Sequence, residues 1–170
     1  IDITSESGPY AFMSPYVLMY ATEAGAGPYL VDHVHIDSRS IATNNMYTSA
    51  FRGFGATQAC IAYEQQMDEA AKVLGIDRIE LRRRNLLKTG DAIATGFKVQ
   101  SAVWTEECMD RAMAALGEKP KDKGAIKYGH GLAAYQQGYG RMIWLHDTAE
   151  GWVGVEMDGT VLVRSGMTDI

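Results

Sequence analysis

Ala50-Phe51-Arg52-Gly53-Phe54-Gly55-Ala56-Thr57-Gln58, running on into Ala59-Cys60-Ile61-Ala62-Tyr63, is the stretch on which the reading of this chain turns. It joins a glycine-rich loop to the clearest helical pattern in the sequence. Ala56, Cys60, Tyr63, Met67, Ala70, Ala71 and Leu74 recur at spacings of three and four, which predicts a helix over roughly 56–74. Gly75 follows as its natural C-terminal cap. The two loop glycines permit backbone conformations and close approaches that side chains forbid. The first turn of the helix carries N–H groups without helical partners, and with the helix dipole they suit an anionic or electron-rich ligand. Arg52 adds a positive charge and a planar fork, and Phe54, held between glycines, offers a flat face to an aromatic molecule. The same residues equally fit an ordinary loop feeding a helix, with both phenylalanines in the core.

Toward the C-terminus, Asp77 with Glu80 three residues on reads as a capping box for a second helix, which carries Arg82, Arg83 and Arg84. Thr105-Glu106-Glu107 starts a third, whose apolar face is Met109, Ala112, Met113 and Leu116 and which Gly117 ends. Residues 117–127 are polar with glycine and proline and read as a linker. Beyond it the pattern is β: a glycine-rich strand from Tyr128 to Tyr139, then a hairpin from Val153 to Val163 turning at Asp158-Gly159. Toward the N-terminus, residues 29–37 read as a strand. Ser14-Pro15 opens a short helix, with Ser14 as N-cap and Pro15 at the first helical position, that stops before Gly25. Residues 1–13 read as extended chain. Helices clustered between β-patterned ends give an α+β class, with helices packed on mixed or antiparallel sheet.

The 170 residues suffice for one domain or two small ones, and 46% apolar content supports a real core. Lys plus Arg total 16 against 21 Asp plus Glu, and this net charge of -5 argues against a nucleic-acid surface. No apolar run is long enough to span a membrane, and the first residues lack a signal-peptide pattern. The chain also lacks a starting Met, which suggests processing or excision. Cys60 and Cys108 fall on or beside apolar stripes and read as buried thiols in a reducing cytosol; two cysteines do not complete an iron–sulfur cluster. His33 and His35 share one face of the expected strand, either as a metal pair or as a half-exposed strand face, and no third ligand lies nearby in sequence. His130 and His146 are isolated and read as structural. The Arg82–Arg84 run fits a phosphate contact or, more simply, a solvated face with ion pairs to Glu80 and its neighbours. Tyr135-Gln136-Gln137-Gly138-Tyr139-Gly140 fits a pocket lining or a bulged strand. Neither a nucleophile motif nor a phosphate loop is present.

Ala50 to Gln58 resembles the Ala-Phe-Arg-Gly-Phe-Gly-x-x-Gln motif of the large, molybdopterin-binding subunit or domain of xanthine dehydrogenases. The likeness continues through Asp68-Glu69-Ala70-Ala71, Leu81-Arg82-Arg83-Arg84-Asn85-Leu86 and Gly90-Asp91. It resumes at Tyr128-Gly129-His130-Gly131-Leu132-Ala133, then at Asp158-Gly159-Thr160-Val161 and Ser165-Gly166-Met167-Thr168-Asp169. The first motif is specific and the others support it by their order. The resemblance implies an oxidoreductase that hydroxylates a carbon of a nitrogen heterocycle or aldehyde at a molybdenum–molybdopterin centre, with water as the oxygen source. It implies iron–sulfur clusters and FAD on other domains or subunits, and hence three partners: the rest of the molybdopterin subunit, an iron–sulfur subunit and an FAD subunit. Nucleic acid and membrane are not expected partners, and the expected location is cytoplasmic. On this resemblance residues 1–116 are a partial cofactor-binding domain and 128–170 the start of a β-rich subdomain.

Carried over by position, Phe51, Arg52, Gly53 and Gly55 face the cofactor. Arg52 resembles the residue whose backbone N–H, not its side chain, approaches the molybdenum, and Phe54 resembles the ring that packs against an aromatic substrate. No catalytic residue is carried over. Gly53 stands where aerobic carbon monoxide dehydrogenases have a copper-holding cysteine, so the chain does not resemble those enzymes. Many aldehyde oxidoreductases of the family have a small residue where Phe54 stands, which points to a flat ring such as a purine or a nicotinate-like molecule.

The departures are as informative. Purine-oxidising members have a substrate-contacting arginine in the segment matching Met19–Thr22, where this chain has Tyr20 and Ala21, which argues against a purine. A substrate-wall threonine expected near Met142–Trp144 is missing. The family's upstream glycine-rich loop with its glutamine is absent, and so is its catalytic glutamate, a general base far downstream. The chain stops at Asp169-Ile170, where the family continues with a Gly-Gln-Gly loop. The expectation is an internal fragment with a partial cofactor site, inactive by itself. A non-catalytic scaffold piece that docks other subunits and a free-standing small-ligand binding domain are the alternatives.

Overall fold

The computed structural model describes residues 1–138 and 149–166, and the chain divides into two compact units, Ile1–Gln137 and Gly138–Ile170. The first unit opens with strand β1 (Asp2–Gly8), helix α1 (Ser14–Glu23) and strand β2 (Asp37–Ala42). β1 and β2 pair in parallel from Asp2 opposite Asp37 to Gly8 opposite Ala42, so α1 is the crossover that parallel pairing requires. Helices α2 (Ala56–Leu74), α3 (Arg78–Asn85) and α4 (Thr105–Leu116) follow. The second unit contains the antiparallel hairpin β3 (Gly151–Val155) and β4 (Val161–Ser165), turning through Asp158-Gly159 as expected.

Helices with small sheets fit the α+β class, but the sheet differs from expectation. In place of one mixed or antiparallel sheet under the helices, the described residues form a two-stranded parallel sheet and a separate two-stranded antiparallel one. The strand expected at 29–37 is also corrected. Only Tyr29 pairs, in a single antiparallel bridge to Leu86, while Leu30, Val31 and Val34 are exposed on irregular chain. The partner strand for β1 is the polar Asp37-Ser38-Arg39-Ser40-Ile41-Ala42, whose sequence lacks the apolar alternation that marks a half-buried strand. The strand expected from Tyr128 onward is absent over 128–138: no neighbouring strand pairs with it, and Leu132 and Ala134 pack into the core instead.

The α2 boundary reads from the sequence as expected: Gly75 takes the left-handed cap at φ 64° and its N–H reaches back to Lys72. Asp77 caps α3, accepting from the N–H groups of Ile79 at 2.9 Å and Glu80 at 3.0 Å. Ser14, by contrast, is not the cap of α1. Met13 holds that position, and the buried Ser14 hydroxyl donates to the Thr48 carbonyl at 2.7 Å, tying the helix start to the chain ahead of the loop. The core gathers Tyr29, Ala59, Tyr63, Leu86, Met109 and Ala134, with Cys60, Met67, Ile79 and Leu132 against it. Residues 117–127 form no helix or strand and lie inside the first unit.

The expected pair of buried thiols is half right. Cys60 is partly buried on α2, near the Ala134 carbonyl at 3.9 Å, whereas Cys108 is exposed on α4, because that short helix buries little beyond Met109.

Candidate functional site

Three consecutive residues of the loop before α2 are left-handed: Gly53 at φ 72°, Phe54 at φ 44° and Gly55 at φ 96°. Phe54 is the one non-glycine residue with positive φ among the described residues. Such a conformation costs about 1–3 kcal/mol and persists only where the surroundings impose it. Here they do. A Cβ on Gly55 would lie 2.1 Å from the Val17 carbonyl oxygen and 2.9 Å from the Ala21 nitrogen, so the loop backbone rests directly on α1. A Cβ on Gly53 would lie 2.4 Å from the Thr57 methyl, where the chain folds back into the first turn of α2. The Ala56 N–H closes the turn onto the Gly53 carbonyl at 3.0 Å.

The loop's side chains point away from the core. Phe51 is 89% exposed, with the Arg52 guanidinium 5.2 Å over its ring. Phe54 is half-buried and meets the Tyr20 ring edge to face, with centroids 5.2 Å apart and planes at 89°. The reading in which both phenylalanines fill the core is therefore set aside. Arg52, Gly53 and Phe54 lie together at the mouth of α2, whose first turn carries no acidic residue. Tyr20 entered the sequence reading only as a departure from the purine oxidisers' arginine, and its contact with Phe54 was not foreseen. Its signal was the spacing Val17, Tyr20, Ala21, which puts all three on one face of α1.

A main-chain cradle beside a cation and a helix N-terminus suits an anionic, electron-rich group approached through N–H donors. Among the described residues, no three His, Cys, Asp or Glu side chains come together in a way that could hold a metal ion. The donors present thus fit a pterin-borne metal approached by backbone better than a metal held by protein side chains. His33 and His35 are exposed on irregular chain, and the His35 ring lies 3.3 Å from the Asp37 carboxylate. His130 is partly buried outside any such cluster, and His146 lies outside the described residues, as do Tyr139, Gly140 and Met142–Trp144.

The arginine run splits three ways. Arg84 pairs with Glu80 at 2.7 Å on the surface, as expected of a solvated face. Arg83 reaches from α3 to α4, 2.6 Å from Asp110. Arg82 is wholly buried: its guanidinium meets Glu64 at 2.8 Å and Asp68 at 2.8 Å, and its Nη1 donates to the Arg78 carbonyl at 3.1 Å. The Tyr29 hydroxyl donates to the other Glu64 oxygen at 2.5 Å. Burial alone would lower the Arg82 pKa, but the Asp68 and Glu64 carboxylates raise it above its usual value. Burial, and then the Glu64 carboxylate, push the Tyr29 phenol well up. Burial likewise pushes the Tyr63 phenol up, and its hydroxyl donates to the Ala134 carbonyl at 3.3 Å. This network bolts α2 to α3 and to the 28–30 segment, and it takes the Arg82 guanidinium out of reach of solvent.

The molybdopterin cofactor-binding domain family matches residues 1–86. The chain belongs to that family. Its sequence is 38% identical over 112 residues to the nicotinate dehydrogenase large molybdopterin subunit of Eubacterium barkeri, covering 66% of this chain and 26% of that protein. It is 32% identical over 174 residues to the aldehyde oxidoreductase of Megalodesulfovibrio gigas, covering 99% and 19%. The solved aldehyde oxidoreductase from Desulfovibrio gigas superposes with a TM-score of 0.61 at 27% identity, over 95% of this chain and 19% of that one. The chain thus spans about a quarter or less of the relatives it matches. No helix among the described residues is long and apolar enough to cross a membrane.

Proposed function

We propose that this molybdopterin-binding domain presents the 51–55 loop to the cofactor and substrate of a molybdenum hydroxylase that oxidises a carbon of a nitrogen heterocycle or an aldehyde, with water as the oxygen source. The observation that carries the reading is the run of three left-handed residues, Gly53, Phe54 and Gly55, set at a helix N-terminus inside the family-matched segment. Phe51, Arg52, Gly53 and Gly55 would hold the molybdenum–molybdopterin group, with the Arg52 main-chain N–H approaching the molybdenum. Phe54 offers its ring to the substrate. When bound, the cofactor supplies the two-electron oxidation and the delivery of oxygen to carbon. The chain's own contribution is to bind, to orient and to keep a carboxylate out of the first turn of α2.

Among substrates, a flat heteroaromatic ring fits best. Phe54 is an aromatic surface, Tyr20 takes the place of the arginine that the family's purine oxidisers use, and a relative at 38% identity is named a nicotinate dehydrogenase. Iron–sulfur and FAD groups belong to other domains or subunits of the assembly, which is cytoplasmic, and these 170 residues alone are inactive.

The test is made on the complete protein that contains this chain, purified with its partner subunits. It assays molybdenum and pterin content, then turnover of nicotinate, hypoxanthine and benzaldehyde with an artificial electron acceptor. Stoichiometric cofactor with nicotinate as the best substrate supports the reading. A cofactor-free assembly refutes it, and preferred turnover of benzaldehyde refutes the heterocycle assignment.

A second reading, a piece that docks other subunits, draws on the hairpin. Trp152, Val153, Val155, Val161 and Val163 are all exposed on β3 and β4, more apolar surface than a free hairpin usually carries.

A further inference from the structure

The Phe54 ring does not hold its direction by backbone habit. Its φ of 44° is one that non-glycine residues rarely adopt, so its surroundings hold this residue in place. The ring among them is Tyr20, which stands at 89° to Phe54 with centroids 5.2 Å apart. The same helix face bears the loop's backbone, because the missing Cβ of Gly55 points at Val17 and Ala21, one on either side of Tyr20 along the face. Helix α1 is itself pinned at both ends. Ser14 bonds to Thr48 at 2.7 Å at its start, and Thr22 shares a hydroxyl pair with Ser38 of β2 at 2.6 Å near its end.

We propose that Tyr20 is a positioning residue that fixes the plane of the Phe54 ring and thereby favours flat heteroaromatic substrates over flexible aliphatic ones. The inference rests on the reading of the 51–55 loop as a substrate-facing surface. Tyr20 acts through Phe54 and carries no step of the chemistry. Its ring, more than its hydroxyl, does the positioning, because the contact with Phe54 is ring to ring.

The experiment uses the assembled, cofactor-loaded protein with 4-fluorophenylalanine placed at position 54 and read by fluorine NMR, alongside steady-state kinetics with nicotinate and propionaldehyde. Tyr20→Phe is expected to keep the fluorine resonance in place and the KM for nicotinate within about twofold of the parent. Tyr20→Leu is expected to shift or broaden the resonance and to raise that KM roughly three- to tenfold, with kcat and molybdenum content little changed and propionaldehyde kinetics unmoved. An unmoved fluorine signal in Tyr20→Leu overturns the proposal, and so does an equal loss for both substrates that tracks lost molybdenum. Should Tyr20→Leu not fold, Tyr20→Met, which fills the space without a ring, is read against the same two outcomes. A moved fluorine signal in a protein whose parent form does not turn over nicotinate supports the positioning half and overturns the substrate half, so the two readings fail separately.

Discussion

Helix α2 grows at its N-terminal end out of a loop with three left-handed residues in a row, and around its middle it is bolted to α3 by a guanidinium with no solvent contact. Phe51 and Arg52 stand in water ahead of the helix, while Glu64 and Asp68 close on Arg82 along its middle. The difference shows how a short segment can hold a strained loop ready for a ligand. Main-chain donors are useful to a ligand only while they are unoccupied, and such a loop cannot stabilise itself. Its conformational cost is carried by α1 beneath it and by the ionic anchor farther along α2. Exposure is thus assigned to the loop that feeds the helix, and rigidity to the helix's middle.

The comparison predicts a graded series of losses, each measured as a shift in urea-unfolding free energy. The largest belongs to Arg82→Met, which leaves Glu64 buried without its cation and is expected to cost about 3–5 kcal/mol, with much of it recovered in the double variant Arg82→Met/Glu64→Leu. A loss below about 1 kcal/mol would mean that the anchor is no stronger than a surface pair.

Next comes Gly55→Ala. Its methyl would meet the Val17 carbonyl, and φ 96° excludes an ordinary residue, so at least about 2 kcal/mol is expected. The same change at Gly90, which is also left-handed but has open space around it, should cost less.

Alkaline titration reads the anchor from another side. Burial and the Glu64 carboxylate raise the Tyr29 phenol above the ordinary tyrosine value of about 10 in the folded chain. Above about pH 10 the unfolded state therefore releases a proton that the folded state keeps, and stability falls as pH rises, by about 1.4 kcal/mol per pH unit for this group. Below that pH the contribution is fully present. In Tyr29→Phe the part of the slope due to this phenol disappears, while the part due to Tyr63 remains, since its phenol is raised too.

A smaller effect is due at the α3 cap. Asp77→Ala strands the N–H groups of Ile79 and Glu80 and should cost about 1 kcal/mol. The smallest is Phe51→Ala, at 89% exposure, which should leave stability within about 0.5 kcal/mol of the parent. A larger loss would show that the loop is structural and would erase its contrast with the buried anchor.

Local signals carried much of this in the sequence itself. The 3.6-residue period of 56–74, the Gly75 stop, the Asp77 cap and the Asp158-Gly159 turn all depend on residues a few positions apart, and each appears where its pattern placed it. The Phe51–Gly55 motif pointed to the family, and its glycines permitted the unusual backbone found there, though not the left-handed Phe54 between them. Tertiary structure alone decided what depends on distant partners. Asp37–Ala42 is a strand because β1 lies beside it, and 30–36 forms no strand, whatever their hydrophobic patterns suggest. Ser14 turned from a cap into a tie because Thr48 is in reach. Of three consecutive arginines only Arg82 is buried, since one helix face looks at Glu64 and Asp68 and residues one apart never share a face. Tyr20 and Phe54, 34 positions apart, meet for the same reason: local pattern sets which way a residue faces, and only packing sets what it faces.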